Sequence, residues 1–146
     1  MKRVLILGFY KKHNLGDDLF EYILTKWLSD TECIFSDPHD LKELPENLSC
    51  VCVGGGDLIN HYFMDTIRNL LKDYKGPVYA VGVGIPYPKL LTASYLDIFD
   101  FMHIRTSSSF DKLKSIMPDR CACGPDIVRA LTNEVAKERS TSDISN

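Results

Sequence analysis

Arg3-Val4-Leu5-Ile6-Leu7-Gly8, followed after a polar loop by a helix-spaced run over residues 17–28, decides the fold class. An unbroken stretch of branched apolar residues marks a strand buried on both faces, as at the centre of a parallel sheet. Phe20, Ile23, Leu24, Trp27 and Leu28 then recur at helical spacing, with Asp17 or Asp18 expected to cap the helix. The same alternation continues along the chain. Further strands are expected over residues 33–35, 50–53, 78–83, 101–105 and 121–123, with a polar, proline-containing loop over 36–47.

The helices between them follow from the same periodicity. Leu58, Ile59, Tyr62, Phe63, Ile67, Leu70, Leu71 and Tyr74 predict one apolar face of a long helix, which Gly76-Pro77 ends. A short helix is expected around residues 90–99. Another is capped by Ser107, Ser108 and Ser109, with Phe110, Leu113, Ile116 and Met117 turned inward; Ile127, Leu131 and Val135 suggest one more. Strands alternating with helices of this length make βαβ units. The expectation is a three-layer, Rossmann-like, doubly wound parallel sheet of five to six strands, in the order 3-2-1-4-5. Residues 1–139 would form a single domain and residues 140–146 a polar tail.

The chain's 146 residues suffice for one domain with a sizeable core. With 45% apolar and 25% charged residues and a net charge of −3, it has the composition of an ordinary globular protein and no basic footprint for nucleic acid. No apolar run approaches the roughly 20 residues of a membrane helix. The opening Met-Lys-Arg-Val-Leu-Ile-Leu ends at Gly8 without a signal-peptide cleavage pattern. Five cysteines, an odd number spread through strand-like segments, argue against a disulfide framework and for a cytoplasmic protein. The two Cys-x-Cys pairs invite a zinc reading, but they lack the usual ligand spacing. Buried thiols on one face of a strand are expected instead.

Ligands of open parallel sheets bind beyond the carboxyl ends of the strands, where the strand order reverses. In the expected order, that point lies between the first and fourth strands, among the loops at residues 8–18, 54–60, 82–89 and 105–109. Gly54-Gly55-Gly56-Asp57 joins a strand to a helix. Glycine lets the backbone approach a ligand, and a helix N-terminus favours an anion or a hydroxyl oxygen; the plainer reading is a tight turn with Asp57 as N-cap. Asn60 is expected one turn into that helix, facing the cleft. In His13-Asn14-Leu15-Gly16-Asp17-Asp18, one carboxylate is needed as a cap, and the other is available to accept from sugar hydroxyls. His13 reads as a solvated loop residue or a proton shuttle. Arg105, at a strand's carboxyl end, suits a carboxylate or phosphate, or else an ion pair with Asp100, Asp126 or another local acid. Gly8 and Gly16 stand too far apart for a dinucleotide fingerprint. Neither a P-loop nor a Gly-x-Ser-x-Gly elbow occurs.

In that order and spacing, these segments resemble the polysaccharide pyruvyl transferase family. Its Gly-Asn-x-Gly-Asp-Glu-like loop is matched by His13-Asn14-Leu15-Gly16-Asp17-Asp18, and its Gly-Gly-Gly-Gly-Leu by Gly54-Gly55-Gly56-Asp57-Leu58. Its Gly-x-Gly-Ile is matched by Gly82-Val83-Gly84-Ile85, and its Arg-Asp-x-x-Ser by Arg105-Thr106-Ser107-Ser108-Ser109, with Asp126 for a late Asp-Pro-like step. Asp18, Asp57 and Thr106 depart from the family's Glu, Gly and Asp. The resemblance implies a GT-B-like enzyme of carbohydrate biosynthesis that moves a pyruvyl group from phosphoenolpyruvate to a sugar or glycan acceptor, as in exopolysaccharide, with no cofactor and no metal.

On that resemblance, Asn14, Gly16, Asp17, Asp18, Gly54, Gly55, Gly56, Asp57, Asn60, Gly84, Arg105 and Ser109 would form the acceptor side of the cleft. The phosphoenolpyruvate-binding residues would lie in a C-terminal half that this chain does not contain. It would be a domain of a longer protein, a half completed by a partner chain or a homodimer, or a derived sugar-binding module. Half of a GT-B glycosyltransferase is the alternative of the same architecture. The 146 residues alone are expected to be inactive.

Overall fold

The computed structural model describes residues 1–10, 12, 15–87, 93–105 and 107–124, with the side chains of Leu15 and Ser109 left aside. The elements run β1 (Lys2–Leu7), α1 (Leu15–Trp27), β2 (Thr31–Ser36), a 3-10 turn (Pro38–Asp40), β3 (Cys50–Gly56), α2 (His61–Leu70), β4 (Val78–Val83), α3 (Ala93–Leu96), β5 (Phe101–Ile104), α4 (Ser107–Ile116) and β6 (Cys121–Cys123). The expected helix at Ile127–Val135, the tail at 140–146, Asp126 and the far boundary of the domain lie outside the described residues.

Among the described residues, six strands form one sheet in which every pairing is parallel, so the chain has the three-layer, Rossmann-like α/β architecture. The order is β2-β1-β3-β4-β5-β6, which corrects the expected 3-2-1-4-5. The physical reason lies in β2 and β3. β2 carries the polar pair Thr31-Glu32, with Glu32 exposed, and suits an edge. β3 buries Val51, Val53, Gly54 and Gly55, and needs a neighbour on each side. Val4 of β1 accordingly stands between Cys33 of β2 and Cys50 of β3.

Alternation along β1 divides the core between the two faces. Leu5 and Leu7 join Val51, Val53, Met64, Ile67, Phe99 and Leu113 beneath α2, α3 and α4. Val4 and Ile6 join Tyr10, Phe20, Leu24 and Phe35 beneath α1. β4 pairs irregularly with β5 between Ala80 and Val83. There Gly82 adopts a φ of 63° and its N–H donates to Nδ1 of His103 at 3.2 Å.

Several boundaries differ from the sequence expectation. β3 does not stop before the glycines but runs through Gly56, which pairs with Val83. α1 begins at Leu15, so Asp17 and Asp18 stand inside its first turn and do not cap it. α2 begins only at His61, because Asn60 caps it: its Oδ1 accepts from the Phe63 N–H at 3.1 Å. Leu58 and Ile59 are buried in the connection that precedes the helix, and Tyr74 lies beyond its end. Of the helix expected around residues 90–99, the described residues show α3 at Ala93–Leu96, and Met117 is buried just after α4.

Candidate functional site

From β1 the chain turns one way to β2 and then the other way to β3, so the strand order reverses between β1 and β3. That is the switch point at which an open parallel sheet forms its crevice. It replaces the position between the first and fourth strands that the expected order implied. The loops leaving β1 and β3 diverge there around a cleft of about 470 Å³, within the size range of small-molecule sites.

The glycines of β3 build the floor. A Cβ on Gly54 would lie 2.7 Å from the Phe20 ring, so α1 packs this closely only against glycine. The Gly54 carbonyl accepts from the Tyr10 hydroxyl at 2.7 Å; Tyr10 is fully buried, and burial raises its phenol pKa. Gly55 and Gly56 follow with φ near 80° and turn the backbone under the Asp17 carboxylate. Each glycine of the triplet therefore has a packing or conformational reason in the fold, and the triplet alone does not argue for a ligand.

The rim carries the charges. Gly56 O accepts from Leu58 N–H at 3.0 Å and from Gly84 N–H at 2.9 Å, which ties the loop after β3 to the end of β4. Arg105 leaves β5 with its own N–H on Val83 O at 3.1 Å and reaches Asp57, Nη2 donating to Oδ1 at 2.7 Å. A Cβ on Gly84 would collide with that carboxylate. Arg105 thus pairs with a local acid, Asp57, as one of the expected alternatives had it. Asp100 instead accepts from the Val78 N–H at 2.8 Å.

Asp17 projects from the first turn of α1 and is 7% exposed. Burial pushes its carboxyl up to about 6; the adjacent Asp18 pushes the same way, and Arg105 pulls it down. A carboxyl poised near neutrality at the floor of a cleft is an unusual charge state for an aspartate.

Gly16, Asp17, Gly55, Gly56, Asp57 and Arg105 line the cleft. Gly54 lies beneath it against Phe20, Gly84 lies under the Asp57–Arg105 pair, and Asp18 is exposed beside it. Asn60 does not face the cleft: Nδ2 donates to Asp57 O at 2.7 Å while Oδ1 caps α2. Ser109 belongs to α4. Its side chain, with His13, Asn14 and Thr106, lies outside the described residues.

The lining also includes aromatic residues that sequence reasoning left out of the site: Phe9, Phe20, Tyr62 and Phe63. Tyr62, expected on the apolar face of α2, is 66% exposed. The core stripe of α2 is Met64, Ile67 and Leu71, and at 100° per residue Tyr62 falls well away from it. None of the five cysteines lines the cleft. All are free; Cys33, Cys50, Cys52 and Cys121 are half-buried, and Cys123 is exposed, which corrects the expectation of uniformly buried thiols. Among the described residues, no three His, Cys, Asp or Glu side chains are grouped to hold a metal, and no helix is long and apolar enough to cross a membrane.

No family model and no curated protein matches the chain. One similar solved structure is a response regulator CheY-like protein from Mesorhizobium loti, 18% identical over 92% of this chain and 96% of that one, with a TM-score of 0.38. A likeness of that depth carries no argument about the site.

Proposed function

We propose that the cleft at the β1/β3 switch point holds a sugar acceptor, and that the chain is the acceptor-side half of a polysaccharide pyruvyl transferase-type enzyme. The observation that carries this reading is Asp17, a buried carboxyl held near pH 6 at the floor of a cleft whose rim is the Asp57–Arg105 pair. Such a carboxylate accepts a hydrogen bond from a sugar hydroxyl and takes its proton more readily than an ordinary aspartate. The motif resemblance over the first, third, fourth and fifth strand ends supplies the reaction class.

In that reaction, two acceptor hydroxyl oxygens bond to C2 of phosphoenolpyruvate and the bond from C2 to the phosphate oxygen breaks. One hydroxyl proton converts the methylene to a methyl group, and the other leaves with phosphate. Asp17 would orient the first hydroxyl and relieve it of its proton. The donor would be held by a second half, either a further domain or a partner chain, facing this cleft.

Phosphate release from phosphoenolpyruvate by the full-length protein tests the reading, with galactosides and N-acetylmannosamine as acceptors. The expected result is release that requires an acceptor and falls by about 10²-fold or more in Asp17→Asn, the scale of a lost general base. No acceptor-dependent release with either sugar class contradicts it.

A further inference from the structure

The mouth of the cleft carries aromatic rings that the core does not need. Phe9, in the loop after β1, is 37% exposed, and Tyr62, at the start of α2, is 66% exposed. They are nonetheless held in place. Phe63 meets Phe9 edge-on at 6.3 Å and Tyr62 edge-on at 4.9 Å. His39 stacks on Tyr62 with ring centroids 4.2 Å apart, and its Nε2 lies 3.0 Å from the Tyr62 carbonyl oxygen. Its Nδ1 lies 2.9 Å from Oδ1 of Asp37, which is 4% exposed and also accepts from the His39 backbone N–H. The buried aspartate, the histidine and the tyrosine thus form a brace from the 3-10 turn to α2. His39 covers one face of the Tyr62 ring, and Tyr62 lines the cleft.

Rings fixed before a ligand arrives lose little freedom when it binds. From this arrangement, and resting on the acceptor reading above, we propose that Phe9 and Tyr62 form a stacking wall for the C–H face of a pyranose whose hydroxyls donate to Asp17 and Asp57. The charges in the cleft favour a neutral polyol over a nucleotide. Among the described residues, two carboxylates line it, no lysine does, and the one lining guanidinium is bonded to Asp57. The guanidinium is already engaged by the Asp57 carboxylate, whereas hydroxyl donors would find acceptors.

Calorimetry and saturation-transfer NMR on the protein test the wall, with methyl β-galactoside, N-acetylmannosamine and uridine monophosphate as probes. Tyr62→Ala and Phe9→Ala should each weaken binding of the sugar probe by about tenfold, the scale of one aromatic contact, and Tyr62→Phe should restore it. Tyr22→Ala, on α1 and also exposed but outside the cleft, serves as the control and should leave affinity unchanged. In the unmodified protein, saturation should pass most strongly to the ring C–H protons of the sugar. Sugar binding unaffected by Tyr62→Ala and Phe9→Ala overturns the wall and leaves the acceptor reading standing. Binding of neither sugar, or preference for uridine monophosphate, overturns both.

Discussion

Asp17 combines two demands that pull against each other. Its carboxyl is raised to about 6 by burial, with Asp18 adding to the effect, so ionising it costs the folded state more than the unfolded chain. The sign follows from that shift. Below the ordinary aspartate range the group is protonated in both states and its contribution to stability is full; it is lost as the pH rises through about 6. Asp17→Asn, which cannot ionise, should therefore stabilise the fold by on the order of 1–2 kcal/mol at pH 8 and by much less at pH 4. Thermal unfolding across that range measures it; a gain that does not depend on pH would contradict the assigned state. A native residue retained at a cost in stability is what a functional carboxylate looks like. The sequence shows two adjacent aspartates after a turn, but which one is buried depends on where α1 begins, and that is set by packing. Gly54 is a similar case. Its neighbours in sequence suggest a ligand loop, whereas the Phe20 ring accounts for the missing side chain.

At the scale of elements, α2 shows how a cap moves a boundary. Asn60 bonds the Phe63 N–H with one end and the Asp57 carbonyl with the other, so the helix starts at His61 and the preceding segment stays free to lay Leu58 and Ile59 in the core. Asn60→Ala should cost about 1 kcal/mol, as loss of an N-cap does. It should also loosen the segment that positions Asp57, so chemical denaturation and sugar affinity should weaken together. Unchanged stability would contradict the capping role. Apolar periodicity located the helix but ran it back to Leu58, because buried loop residues look like helix faces. The starting phase then put Tyr62 in the core when it stands at the cleft. Asn60 itself carried the missing signal, being a good N-cap three residues before Phe63. Strand order was legible in the same way. Thr31-Glu32 belongs on an edge and Val51–Val53 in the middle, a contrast of composition that crossover handedness alone does not supply.

For the whole molecule, the alternation of apolar strands and amphipathic helices fixes a parallel three-layer sheet, and the topology then dictates where a ligand site can form. Reversal of strand order between β1 and β3 brings together the first turn of α1, the glycine turn after β3, and Arg105 from the end of β5. The polar part of this constellation was visible in the sequence, since turn and charged residues cluster at strand ends. The aromatic part was not. Phe9 and Tyr62 are indistinguishable from core residues until the packing of β1 and α2 is known. The central claim is that this switch-point cleft is the acceptor site, and amide shift mapping on nitrogen-labelled protein titrated with methyl β-galactoside and N-acetylmannosamine tests it most directly. The account predicts perturbations concentrated at Asp17, Gly55, Gly56, Asp57 and Arg105. Perturbations centred instead at the opposite end of the sheet, around Tyr74 and Gly76, or none with either sugar, would contradict it.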